Sequence, residues 1–186
     1  AATTLLALNA CAEESTRATK GQRPGGTYAI TPTASTDPDA ARAALSDRTS
    51  GVLPVDLFGY PADLAALTAL AVERGLGLLE DGCQALGAVD SDGVRLGARP
   101  HPCAFAFYAN KQMTTGEGGV LIPGSEVAAA VARSERNQGR APGMKVMAHE
   151  RVGFNYRMTD IQAALGIAQL ERLDEMLSDR ARVAGW

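Results

Sequence analysis

From Thr27 onward short apolar runs alternate with longer segments of helical periodicity, and that alternation restricts the fold more than any other feature of the chain. Strands separated by helices pair in parallel, because the connecting helix must cross back over a face of the sheet. "TYAIT" reads as a short strand, and "DPDAARAAL" follows as a helix with Asp37 as N-cap and Pro38 at the first helical position, where a missing N–H is harmless. "GVLPVDLF" reads as a strand whose Pro54 assigns it to an early or edge position, since proline cannot donate to a ladder. "PADLAALTALAVERG" places Leu64, Leu67 and Ala71 on one helical face, with Pro61 at its start and Gly75 as its stop. "LGLLED" is an apolar run ending in two acids, the pattern of a buried parallel strand with a polar carboxyl end. "CAFAFY" and "GGVLIP" are further strands, the second antiparallel because only the short stretch around Lys111 joins them. Ser125 caps a helix to about Asn137, and Thr159 with Gln162 makes a capping box for a helix running past Leu173. The fold class is α/β, a mostly parallel sheet flanked by helices.

A chain of 186 residues with 46% hydrophobic content can bury roughly 70% of its unfolded surface, enough for a core. The formal charge of −3 and the lack of a basic run argue against nucleic acid or an anionic membrane as partner and favour a small-molecule ligand. Cys11, Cys83 and Cys103 are odd in number and widely spaced, so neither a disulfide framework nor a zinc site is expected, and reduced thiols in a cytoplasmic protein are. The opening "AATTLLALNACA" lacks a basic leader and contains Asn9, which reads as a buried helix rather than a signal peptide. Residues 13–26 are polar and glycine-rich and read as a loop. The first residue is not methionine and Trp186 follows directly on a helical run, so the chain reads as a piece of something longer.

Open α/β sheets bind ligands at the carboxyl ends of their strands. Two polar features fall there, "EDGCQ" and "YANK", which brings Asp81, Gln84 and Lys111 toward one expected crevice. Taken singly, each has a plain explanation: Asp81 and Gln84 as caps, Lys111 as a solvated charge, "GEGG" as a turn needing positive φ. The lysine is nevertheless unusual, because the chain carries three lysines against fifteen arginines. A site needing only a cation would be served by arginine here, whereas an amine that must lose its proton and attack a carbonyl has to be lysine. His101 and His149 lie in loop-like stretches and read as surface residues. "HERVG" lacks the second histidine of a zinc-protease helix, "TTGEGG" follows its lysine rather than preceding it as in a P-loop, and no serine sits in a nucleophile elbow.

Four segments in order, "PVDLFGYPADLAAL", "EDGCQALGA", "AFAFYANKQMTTGEGG" and "RVGFNYRMTDIQAALGIAQLERLDEM", closely resemble the DegT/DnrJ/EryC1/StrS family of pyridoxal-phosphate-dependent sugar aminotransferases, over about residues 51 to 177. The resemblance implies a fold type I (aspartate aminotransferase-like) large domain, of which residues 1–186 would be the middle part, without the family's C-terminal small domain. It implies pyridoxal 5'-phosphate as cofactor, an amino acid donor such as glutamate or glutamine, a nucleotide-linked ketosugar as acceptor, and a homodimer. Lys111 matches the lysine that forms the internal aldimine and shuttles the proton. Asp81 matches the acid that holds the pyridine nitrogen protonated, and Gln84 a residue beside the ring near its phenolic oxygen. Asn155 matches a residue reaching the neighbouring subunit's cofactor phosphate, with Arg157 as companion, and Thr4 borders the site.

Departures from the family pattern accompany the match. Ala106 stands where a phosphate-binding serine is common, and one charge-assisted hydrogen bond of that kind is worth about 1.5 to 3 kcal/mol. Asp56 and Leu86 stand where histidine is frequent, and both are expected to bear on substrate rather than cofactor. The family's N-terminal Gly-Thr phosphate turn and its stacking aromatic have no counterpart here. Two other readings stay open: a sugar dehydratase relative, against which Lys111 argues because such relatives carry histidine there, and an inactive fragment or binding remnant.

Overall fold

A computed structural model of the chain describes residues 27–29, 37–141 and 148–185, which form parts of two compact units, Ala1–Phe105 and Ala106–Trp186. The expected N-terminal helix, the loop at 13–26 and Thr4 lie outside the described residues.

In the first unit the elements are β1 (Thr27–Ala29), α1 (Pro38–Ala44), β2 (Thr49–Val52), a 3-10 turn (Leu57–Gly59), α2 (Leu64–Arg74), β3 (Gly77–Leu78), β4 (Glu80–Asp81) and β5, which begins at Cys103 and ends at Ala106, the first residue of the second unit. β1, β2 and β3 form a parallel sheet in that order, and β4 pairs in parallel with β5. The alternation of elements thus does produce parallel strands. Asp37 caps α1, its carboxylate accepting the Asp39 N–H at 2.9 Å, with Pro38 at the helix start as expected. α2 packs against β2 and β3 through the buried Leu64, Leu67, Leu70 and Ala71, and Gly75 ends it in the left-handed conformation (φ 63).

Four expectations in this unit are corrected. Pro54 does not mark an edge strand: β2 stops at Val52 and lies between β1 and β3, and the buried Pro54 follows it, using only its carbonyl to accept the Asp81 N–H at 2.9 Å. α2 starts not at Pro61 but after Asp63, whose side chain accepts the Ala66 N–H at 2.9 Å. "LGLLED" is divided at Leu79 into β3 and β4, and its end is not uniformly polar, because Glu80 is fully buried. His101 is likewise no surface residue: it is buried, and its Nε2 lies 2.8 Å from Glu80 Oε2.

The second unit contains β6 (Gly119–Ile122), α3 (Glu126–Arg136), α4 (Asp160–Leu170) and α5 (Leu173–Ala184). The backbone doubles back before β6, with the Phe107 N–H bonded to the Gly118 carbonyl at 2.8 Å. Ser125 caps α3, as expected. The helix expected to run past Leu173 is two helices: Arg172 (φ −108, ψ 7) leaves helical geometry, and no glycine or proline announces the break. The exposed His149 fits its surface reading, with Nδ1 2.7 Å from the Gln138 carbonyl. The capping box is complete, Thr159 Oγ1 accepting the Gln162 N–H at 3.3 Å while Gln162 Oε1 accepts the Thr159 N–H at 2.9 Å. Thr159→Ala removes one arm of it and is expected to cost about 0.5 to 2 kcal/mol, read as a lower denaturation midpoint. Among the described residues no helix is long and apolar enough to cross a membrane.

Candidate functional site

Asp81 and Gln84 are brought together in the first unit by the turn that leaves β4. The Asp81 backbone is held on both sides: its N–H donates to the Pro54 carbonyl at 2.9 Å, and its carbonyl accepts the Asp56 N–H at 3.0 Å. Its carboxylate turns back on the chain, Oδ1 accepting the Cys83 N–H at 3.1 Å. The second oxygen has no hydrogen-bond partner among the described residues, and the side chain is half-buried. A fixed, ionisable carboxylate with one oxygen available suits a protonated ring nitrogen, so Asp81 fits the role of holding a pyridinium. Gln84 is oriented by a hydrogen bond from the Phe58 N–H to its Oε1 at 3.1 Å. Glycine at 82 permits this tight exit, because a Cβ there would lie 2.6 Å from the Phe105 ring and 3.3 Å from the Cys103 sulfur. Asp56 does not face a solvent-filled site as the substrate expectation requires; its carboxyl is fully buried, while Leu86 is half-buried.

In the second unit Lys111 stands on the turn that follows Phe107 and Tyr108. The turn is fastened through its backbone, the Lys111 N–H donating to the Tyr108 carbonyl at 3.1 Å and the Lys111 carbonyl accepting from Arg180 Nη2 of α5 at 2.9 Å. α4 holds the neighbouring residues: Gln169 Oε1 accepts the Thr114 N–H at 3.1 Å, and Gln162 Nε2 donates to the Glu117 carbonyl at 3.0 Å. The glycine cluster behaves as a turn, with Gly116 at φ 78 and Gly118 at φ 155, where a Cβ would also collide with the Thr115 hydroxyl. No hydrogen bond or ion pair involves the Lys111 amine among the described residues, so the side chain is presented rather than consumed by the fold. Arg180, Gln162 and Gln169 are supports that motif reading did not assign, and only the capping position of Gln162 hinted at one of them.

Asn155 and Arg157 are exposed and meet at the end of α3. Asn155 bridges to Asn137, and Arg157 Nη1 donates to Asn137 Oδ1 at 2.8 Å. Between them Tyr156 stacks on Phe154, with ring centroids 4.9 Å apart. Ala106 is half-buried at the end of β5 and offers no hydroxyl.

Known proteins resemble the chain closely. It is 42% identical over 150 residues to GDP-perosamine synthase of Caulobacter vibrioides, a match covering 80% of this chain and 40% of that protein. The crystal structure of DesV from S. venezuelae, 39% identical, superposes with a TM-score of 0.70 over 75% of this chain and 37% of DesV. That of 3-amino-5-hydroxybenzoic acid synthase, 35% identical, gives a TM-score of 0.73 over 78% of this chain and 38% of its own. The chain spans about 40% of the length of the curated relatives it matches. Its parallel α/β architecture is that of these two structures. The model of the DegT/DnrJ/EryC1/StrS aminotransferase family matches residues 29–186, and the chain belongs to that family.

Proposed function

We propose that the chain carries part of the pyridoxal-phosphate-binding large domain of an aminotransferase, one that moves an amino group from an amino acid donor, glutamate or glutamine, to a nucleotide-linked ketosugar. The observation that supports this most is the Lys111 turn: an amine in an arginine-rich chain, presented by a backbone pinned from α4 and α5 and bonded to nothing else among the described residues. When bound, pyridoxal phosphate supplies an electron sink for the carbanion formed on losing a proton from the amine-bearing carbon. The protein's part is then to bind, orient and move that proton. Lys111 is the base and acid at that carbon. Asp81 keeps the ring nitrogen protonated, and Gln84 borders the ring. Asn155, with Arg157 beside it, reaches the phosphate of a neighbouring subunit in a homodimer. With Ala106 offering no hydroxyl, the phosphate depends on other donors.

Reduction with borohydride in the presence of pyridoxal phosphate tests the reading. One pyridoxyl group per chain on the peptide containing Lys111 is expected. Label spread over Lys20 and Lys145, or none at all, would sink it. A panel of nucleotide-linked ketosugars assayed with glutamate and glutamine then identifies acceptor and donor.

A further inference from the structure

Asp56 is fully buried, and so is Glu80, whose next residue, Asp81, accepts the Asp56 N–H at 3.0 Å and whose carboxyl acts on that of Asp56. One oxygen of each is used: Asp56 Oδ1 accepts the Ala62 N–H at 2.8 Å, and Glu80 Oε2 pairs with His101 Nε2 at 2.8 Å. The other two, Asp56 Oδ2 and Glu80 Oε1, are buried without a hydrogen-bond partner among the described residues. Two carboxylates cannot satisfy each other, since both only accept, but one proton between them satisfies both orphaned oxygens. We infer that Asp56 and Glu80 share this proton, and that Asp56 is thereby a positioning residue locking the turn that holds Asp81 and Gln84. The role assigned to those two residues rests on the function proposed above.

The contacts show what the lock controls. Asp56 donates its N–H to the Asp81 carbonyl, and two residues on Phe58 donates its N–H to Gln84 Oε1, so one turn grips both ends of "EDGCQ". That turn is strained: Phe58 (φ 54) and Gly59 (φ 87) are consecutive left-handed residues, and a bulky aromatic adopts that geometry only where its surroundings impose it. The Asp56 carboxyl closes the turn by holding Ala62. Among the described residues the titratable groups that act on it are acidic, Glu80 and Asp81 on β4 and Cys103 on β5, while the His101 ring pairs with Glu80. Burial foremost, and then the Glu80 and Asp81 charges, push the Asp56 carboxyl up to about 7 against the Ala62 hydrogen bond. A folded value raised above the unfolded one means that the locked form holds an extra proton. Its stabilisation is complete below the ordinary carboxylate range and is lost as pH rises through about 7.

Hydrogen–deuterium exchange of the full chain, corrected for intrinsic exchange rates, tests this without cofactor. In the wild type, protection of amides in 56–62 and 81–84 is expected to fall between pH 5 and pH 7, by up to about tenfold per pH unit. Asp56→Asn supplies a permanent N–H donor toward Glu80 and should keep the protection while flattening the profile. Asp56→Ala should be poorly protected throughout. A flat wild-type profile, or an Asp56→Asn profile as steep as wild type or as unprotected as alanine, overturns the assignment. Absence of pyridoxyl label on wild-type Lys111 would instead overturn the enzymatic reading, with the exchange profile still deciding the shared proton.

Discussion

Lys111→Ala is expected to abolish the borohydride-fixed pyridoxyl label and to lower amine transfer by about 10²- to 10⁴-fold or more, with no change in unfolding midpoint. The first effect follows from chemistry: no other group on the turn can both attack a carbonyl and carry the proton, and positioned proton transfer alone accounts for that range. The second follows from geometry. The turn is held by the Lys111 N–H and carbonyl, which alanine retains, and by Arg180, Gln162 and Gln169, which the substitution leaves in place. The amine itself is half-exposed and engaged with nothing among the described residues. Amine transfer from glutamate and chemical denaturation of the same preparation separate the two effects. A variant with wild-type turnover overturns the assignment, and one with a much lower midpoint shows that the lysine has a structural share.

Local signals carried the elements whose cause is local. The Asp37, Ser125 and Thr159 caps depend on side chains within three residues of the backbone they satisfy, and each forms as spacing alone predicts. The left-handed stop at Gly75 is of the same kind. What was not legible depends on partners distant in sequence. Glu80 looks like the polar end of a strand until His101, far along the chain, covers it. Asp56 looks like a substrate contact by its place in the motif, and only the packing of β4 and β5 around it shows a buried acid. The split between α4 and α5 has no residue that marks it. For the candidate site, motif order singled out Lys111, Asp81 and Gln84, but the contacts that support them were not legible: nothing in "YANK" names Arg180 as the residue that grips the turn.

Gly153→Ala is expected to destabilise the chain by about 3 kcal/mol, at the upper end of what overpacking costs, and to disorder the segment bearing Asn155 and Arg157. The reason is space, since the added carbon would meet backbone on every side: the Gly139 nitrogen, the Gln138 carbonyl carbon at 2.6 Å and the Glu135 oxygen at 2.7 Å. A flexible side chain could swing aside, but these atoms belong to the end of α3 and the turn after it. Relief requires moving 153–157 away, which breaks a run of backbone bonds: Gln138 N–H to Phe154 carbonyl at 2.8 Å, Phe154 N–H to Glu135 carbonyl at 2.6 Å, and Tyr156 N–H to Arg136 carbonyl at 2.9 Å. Each is worth about 0.5 to 1.5 kcal/mol net, so the strain and the broken bonds are alternatives of similar size rather than terms to add. Either way the Arg157–Asn137 hydrogen bond loses its geometry. Val152, next in sequence and 82% exposed, provides the control: Val152→Ala should stay within about 0.5 kcal/mol of wild type. Urea denaturation of the two variants measures the contrast, with the slope unchanged if both unfold from the same native state. Equal midpoints would mean that residues 153–157 do not cross the end of α3 at the closeness seen here, and the placement of Asn155 would fall with them.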